Sequence, residues 1–240
     1  MDETYSKLAA DIHAAARAKA PGRLIVGIAG PPGCGKSTIA ATVVSLINNN
    51  NRKEPPPDAA AAAVQGRAQT IPLDGFHYTR QYLDSLPNRK EAYIRRGAPW
   101  TFDVDAMVAF IKRLAESARL PPLDRPTILA PSFDHAEKDP RNDDIGISPE
   151  TSIIVLDGNY LLLDEDKWRD IHVYLDLKIF VDVEPCLARE RVARRHVAAG
   201  IEPTLEKGQM RFDTNDAING DLIRNKIVKY DLMIESVTVR

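Results

Sequence analysis

The stretch "GPPGCGKST", Gly30 to Thr38, has the spacing G-x-x-x-x-G-K-[ST], whose chemistry is the wrapping of phosphate oxygens. Gly30, Gly33 and Gly35 let backbone N–H groups turn inward, and Pro31, Pro32 and Cys34 fill the variable positions of the same loop. Lys36 then reaches the outer phosphates of a nucleoside triphosphate, Ser37 offers a hydroxyl to Mg²⁺, and Thr38 is placed for an α-phosphate. Two carboxylates follow apolar runs: Asp74 in "IPLDGFHYTR" and Asp157 in "SIIVLDGNY". Phosphoryl transfer to an alcohol needs a base for the hydroxyl, a carboxylate near Mg²⁺ and cations over the transferring group. Asp74 fits the base, because His77 and Tyr78 just after it suit the grip of an organic substrate. Asp157 fits the metal carboxylate. Arg191, Arg194 and Arg195 in "RERVARRH" share one helical face. On a mobile lid, Arg191 and Arg195 would act on the transition state and Arg194 on the nucleotide. The plainer alternatives are that the two Asp-Gly pairs are turns and the arginines a solvated face.

The elements that must position these groups are legible in outline. Residues 1–22 read as a packed helix ending at Pro21-Gly22, and "RLIVGIAG" as a strand buried on both faces. "KSTIAATVVSLIN" follows as a helix, and residues 48–68, rich in Asn, Pro and Ala, read as an exposed, mobile insertion. "QTIPLDG" is the next strand, and two short helices broken at Pro87 lead to an amphipathic helix capped by Asp103. "PTILAPSFDH" suggests a short strand, "IGISPE" a turn, and "EDKWRDIHVYL" a helix. "SIIVL", "LKIFVDV" and "DLMIESV" supply further strands, and Pro185 and Gly200 bracket a helix between the last two. Buried strands alternating with helices predict one α/β domain over residues 1–240: a five-stranded parallel sheet with helices on both faces, and a lid over residues 186–211. Ligands of such sheets bind beyond the carboxyl ends of the strands.

The 240 residues carry a formal charge of −2 with 44% hydrophobic residues. That balance speaks against a nucleic-acid partner, and no apolar run approaches a membrane span. The N-terminal stretch holds acidic residues and no apolar core of a leader, so a cytoplasmic protein is expected. Two cysteines, Cys34 and Cys186, make no disulfide framework. Arg95 and Arg96 are either a solvated helix end or contacts for an anionic acceptor. His13, His172 and His196 are taken as structural. Oligomeric state is left open.

Taken in order, "GPPGCGKST", "LDGFHYTR", "PSFDH", "VLDGNYLLL" and "RVARRH" resemble the phosphoribulokinase / uridine kinase / pantothenate kinase family of P-loop kinases, in its uridine-kinase-like branch. The resemblance implies a helical lid and a small substrate-capping subregion. It implies Asp74 as catalytic aspartate, Asp157 near Mg²⁺, and Phe133 and His135 in contact with the acceptor. It also implies Asn215–Asn219 near the adenine, with Asn219 on the nucleotide. The lid here reads Arg194-Arg195-His196-Val197, where uridine kinases usually carry Arg-Arg-x-x-Arg-Asp. The expectation is a Mg-ATP-dependent small-molecule kinase acting on a hydroxyl of a nucleoside-like or pantothenate-like metabolite. Its rival is a nucleotide-gated regulatory or assembly ATPase without a small-molecule acceptor.

Overall fold

The structure is a computed structural model that describes residues 2–53 and 67–237. In chain order it runs α1 (Asp2–Lys19), β1 (Leu24–Ala29), α2 (Lys36–Lys53), β2 (Arg67–Pro72), a 3₁₀ turn (Leu73–Phe76), α3 (Arg80–Ser85), α4 (Arg89–Ile94) and α5 (Val104–Ala118). Then come β3 (Ile128–Asp134), β4 (Asp139–Ile147), β5 (Thr151–Asp157), β6 (Leu177–Val183), α6 (Pro185–Ala198), α7 (Leu205–Arg211), a π-helical turn (Phe212–Asp216), α8 (Ala217–Asn225) and β7 (Leu232–Ser236). Five strands pair in the order β2-β5-β1-β6-β7, all parallel.

Two apolar layers explain why β1 and β5 are continuous apolar runs rather than alternating ones. Ile25, Ile154 and Leu156 face a core with Phe110, Ile111 and Leu114 of α5. Leu24, Val26, Ile28, Ile153 and Val155 face the other, with Ile12 of α1 and Ile39 and Val43 of α2. Helix ends follow local chemistry. The Asp103 side chain accepts from Ala106 N–H to start α5, and Glu184 accepts from Leu187 N–H ahead of Pro185 to start α6. Gly200, at φ 64°, lets the chain leave α6 through the left-handed region.

Arg23 sits between the layers' ends, fully buried, donating to the Thr151 carbonyl, the Ser148 carbonyl and the Ser117 hydroxyl. It ties the end of α5 to the turn before β5. Burial, assisted by Arg125, pushes its pKa down to about 10, still well above neutrality.

Three expectations change. "IGISPE" is not simply a turn: Asp139–Ile147 is a strand, antiparallel to β3. Its sequence, "DPRNDDIGI", hides this because most of its residues are exposed, so pairing rests on the backbone and no apolar alternation is needed. "EDKWRDIHVYL" is not an α-helix but two 3₁₀ turns, Trp168–Asp170 and His172–Tyr174. Trp168, Ile171 and Leu175 are buried at a spacing that reads as helical, which is why the sequence suggested a helix, but the backbone closes only two separate 3₁₀ turns there. The expected insertion at 48–68 is also narrower. Residues 48–53 continue α2, and the Asn48 amide makes paired hydrogen bonds with Ala68 N–H and C=O of β2. Residues 67 and 68 begin β2, and residues 54–66 lie outside the described residues.

Candidate active site

The P-loop leaves β1 and enters α2. A Cβ on Gly30 would lie 2.2 Å from the Val181 carbonyl oxygen, and Gly33 and Gly35 both have φ of 85°, so the loop's course needs glycine at each position. Cys34 is buried beneath the loop, and desolvation pushes its thiol pKa up; it packs and does not react. The first turn of α2 has no acidic residue, which leaves its N–H groups and dipole free for anions.

Sheet order sets the neighbours. β5 lies between β1 and β2, and Asp157 pairs in register with Ile28 on one side and Pro72 on the other. The carboxyl ends of three adjacent strands therefore deliver the P-loop, Asp157 and Asp74 to one place. Asp74 sits on the 3₁₀ turn just past β2. Its backbone carbonyl accepts from His77 N–H (3.1 Å) and contacts His77 Nδ1 (2.8 Å), so the turn is held by the main chain and the carboxylate is left over. Gly75 is required by close approach, not by a special φ: a Cβ there would stand 2.3 Å from the Pro131 carbonyl oxygen on β3.

These groups open onto a cavity of about 850 Å³, lined by Pro32, Lys36, Ser37, Asp74, His77, Arg96, Phe133, His135, Asp157, Arg195, His196, Asn215, Asp216 and Asn219 among others. One wall is aromatic: the His77 ring lies 3.9 Å from Phe102 and 5.2 Å from Phe133, which contacts His135 at 5.3 Å. Burial lowers the His77 pKa, against the pull of Asp74, so the imidazole is neutral near pH 7. Asp157 is 7% exposed and its Oδ1 has no hydrogen-bond partner. Desolvation raises its pKa, while Lys36 and Ser37 work against the rise. A buried carboxylate oxygen without a partner, beside a hydroxyl and next to a phosphate cradle, fits a divalent cation. Among the described residues no group of three or more His, Cys, Asp or Glu gathers as a metal site, so phosphate oxygens and water would complete the shell.

The other residues singled out from the sequence divide sharply. Of the three arginines of α6, Arg195 lines the cavity. Arg191 instead donates to the Gly33 carbonyl, the Ser236 hydroxyl and the Val237 carbonyl, bracing the P-loop against the end of β7. Arg194 is exposed and paired with Glu190. Arg195→Ala is accordingly expected to lower turnover about 10²-fold or more, while Arg194→Ala stays within about twofold of the parent. Steady-state kinetics of the two variants decides this, and equal losses would refute it.

Arg95 is an internal brace, and Arg96 is braced through its terminal nitrogens while it lines the cavity with its Nε unpartnered. Arg95 donates to the Thr214 and Asn215 carbonyls and to Asn219 Oδ1, and Arg96 to the Lys138 and Tyr78 carbonyls and to Asp139. Tyr78 turns away from the cavity to stack on Tyr82 at 4.1 Å. Asn219 is buried against Gly97, and a Cβ on neighbouring Gly220 would meet Pro31 at 3.3 Å; α8 thus spans from the P-loop to the 95–97 segment. Arg211 was not singled out from sequence, Asp216 fell only within the Asn215–Asn219 stretch that the resemblance places near the adenine, and His196 was taken as structural, yet all three line the cavity. Their only signal is three-dimensional: the π-helical turn rotates Asn215 and Asp216 inward.

A family model described as "Phosphoribulokinase / Uridine kinase family" matches residues 25–200. A protein of Schizosaccharomyces pombe named "Putative uridine kinase C227.14" is 35% identical over 218 residues, covering 91% of this chain and 85% of that one. "ATP-dependent kinase YFH7" of Zygosaccharomyces rouxii is 36% identical over 184 residues, 68% of this chain, but the match spans only 49% of that relative's length. Among solved structures, YFH7 from Saccharomyces cerevisiae superposes with a TM-score of 0.81 at 25% identity, covering 98% of this chain and 99% of the other.

Proposed function

The chain belongs to the phosphoribulokinase/uridine kinase family of P-loop kinases, and from that premise we propose that it transfers the γ-phosphoryl of Mg-ATP to a hydroxyl of a small, nucleoside-like or pantothenate-like metabolite. The observation that carries this reading is the single cavity shared by Lys36, Ser37, Asp157 and Asp74 on one side and an aromatic wall on the other. A site for hydrolysis alone has no use for that second wall.

In this reading the P-loop N–H groups and Lys36 hold the β- and γ-phosphates. Ser37 and Asp157 hold the Mg²⁺, whose chemistry is to neutralise charge on the phosphoryl oxygens. Asp74 accepts the proton as the acceptor oxygen bonds to phosphorus and the bond to the ADP oxygen breaks. His77, fixed by the Asp74 carbonyl, and Phe133 wall in the acceptor. Arg195 sits over the transferring group, and closure of α6 and α7 excludes water, the competing nucleophile.

The test is ADP release measured with ATP, Mg²⁺ and a panel that includes uridine, cytidine, D-pantothenate, D-glycerate and pentoses. Slow turnover alone, rising at least tenfold with one acceptor, is expected. ATP binding with no acceptor effect across the panel would refute the reading in favour of a regulatory ATPase.

A further inference from the structure

Among the described residues, five buried side-chain atoms without a hydrogen-bond partner belong to residues of this one cavity: Arg96 Nε, Asp157 Oδ1, His196 Nδ1, Asn215 Oδ1 and Asp216 Oδ2. An unsatisfied buried polar atom is destabilising, so such a concentration at one place asks for a ligand. Asp157 is answered by the cation. His196, Asn215 and Asp216 form a separate cluster on the lid side, where α6 ends and the π-helical turn begins; His196 Nε2 lies 3.8 Å from Asp216 Oδ2.

What this cluster offers is acceptors. The Asn215 amide turns its Nδ2 toward the Arg96 carbonyl, at 3.5 Å, and its Oδ1 stays buried without a partner in a residue that lines the cavity. Asp216 is held by no hydrogen bond at Oδ2, and burial raises its pKa against the field of Arg195, Arg211 and Arg95. Burial, with Arg211 and Arg195, pushes the His196 pKa down to about 4, so its ring is neutral and adds no cation. Phosphate oxygens carry no donors near neutral pH and would be repelled by a carboxylate. The triphosphate oxygens therefore do not satisfy it; the adenine amino group and ribose hydroxyls are donors too, but Asn215 bonds the carbonyl of Arg96, whose guanidinium lies 5.5 Å from the Phe133 ring, which sets the cluster beside the aromatic acceptor wall. A polar partner that satisfies it must bring O–H or N–H groups.

We propose that His196, Asn215 and Asp216 form a subsite that reads hydrogen-bond donors on the phosphoryl acceptor, beyond the hydroxyl that is phosphorylated. This rests on the kinase reading above. It narrows the acceptor to a compound with further hydroxyl or N–H groups on one edge and a face that packs on Phe133 and His77. A compound whose only polar group besides the reacting hydroxyl is a carboxylate is disfavoured.

Two measurements on Asp216→Asn and Asn215→Leu test it. First, thermal unfolding without ligand: groups kept for a ligand leave the free protein strained, so Asp216→Asn should have a Tm equal to or above the parent's. A fall of 5 °C or more would mark Asp216 as a structural partner and overturn the proposal. Second, kinetics with the panel member that gives the fastest turnover: the acceptor KM should rise tenfold or more in both variants while the KM for ATP stays within twofold. A rise confined to ATP would assign the cluster to the nucleotide, and an unchanged acceptor KM would leave it without a role; either overturns the proposal. If no panel member is phosphorylated, the kinase reading fails on its own, and the ligand-free Tm still decides whether the carboxylate is unpartnered.

Discussion

Asp74→Asn is expected to lower acceptor-dependent turnover by about 10²–10⁴-fold, the usual contribution of a positioned general base, with the KM for ATP nearly unchanged. The substitution is a clean probe because the turn does not depend on the side chain. His77 N–H and His77 Nδ1 both address the Asp74 backbone carbonyl, and the carboxylate only faces the cavity. Asn preserves volume and removes the ability to take a proton. Slow acceptor-independent hydrolysis should change far less than the transfer reaction, since water does not need a base placed for a bound alcohol. Measuring both rates on one preparation separates loss of chemistry from loss of fold. A variant that transfers phosphoryl at the parent rate would reduce Asp74 to a turn residue and remove the central role assigned here.

Gly75→Ala should lower the stability of the fold through a clash with main-chain atoms. The added Cβ would lie 2.3 Å from the Pro131 carbonyl oxygen and 2.5 Å from its carbon. Both are main-chain atoms that no rotamer change can move, so the 3₁₀ turn and β3 must separate. Overpacking of this kind costs about 1–3 kcal/mol, which for a chain of this size is a Tm lower by several degrees. Because β3 carries Phe133 and the turn carries Asp74, the same shift should raise the acceptor KM. Gly146→Ala on β4 is the control. Its Cβ would meet nothing within 4 Å, so it should stay within about 0.5 kcal/mol of the parent. Calorimetry of the pair gives the answer, and indistinguishable melting curves would show that the contact between turn and hairpin is loose.

Both "DG" words are places of close packing as well as chain turns. Gly75 and Gly158 are there for close packing. The Cβ of Gly158 would stand 3.2 Å from Leu73, on the very turn that carries Asp74. The two Asp-Gly words thus interlock: one glycine accepts β3 and the other accepts the partner's turn, and the carboxylates beside them are aimed together.

What the linear chain determined by itself was whatever depends on local spacing. The P-loop is contiguous, so its glycines, Lys36 and Ser37 are readable as a unit. β1 and β5 are buried along their whole length, so their apolar runs announce them. Asp157 closes one of these runs, and Asp74 follows the shorter apolar stretch 71–73. Only the tertiary structure decided which of the arginines face the cavity. Arg191, Arg194 and Arg195 are equivalent on a helical wheel, but the packing of α6 against the P-loop and β7 turns one inward, spends one on bracing and leaves one in solvent. It alone revealed the β3–β4 hairpin, because a strand exposed along most of its length pairs through its backbone and writes no hydrophobic pattern. It alone brought His196, Asn215 and Asp216 to one wall, since a π-helical turn rotates side chains by an amount that no 3.6-residue period foretells.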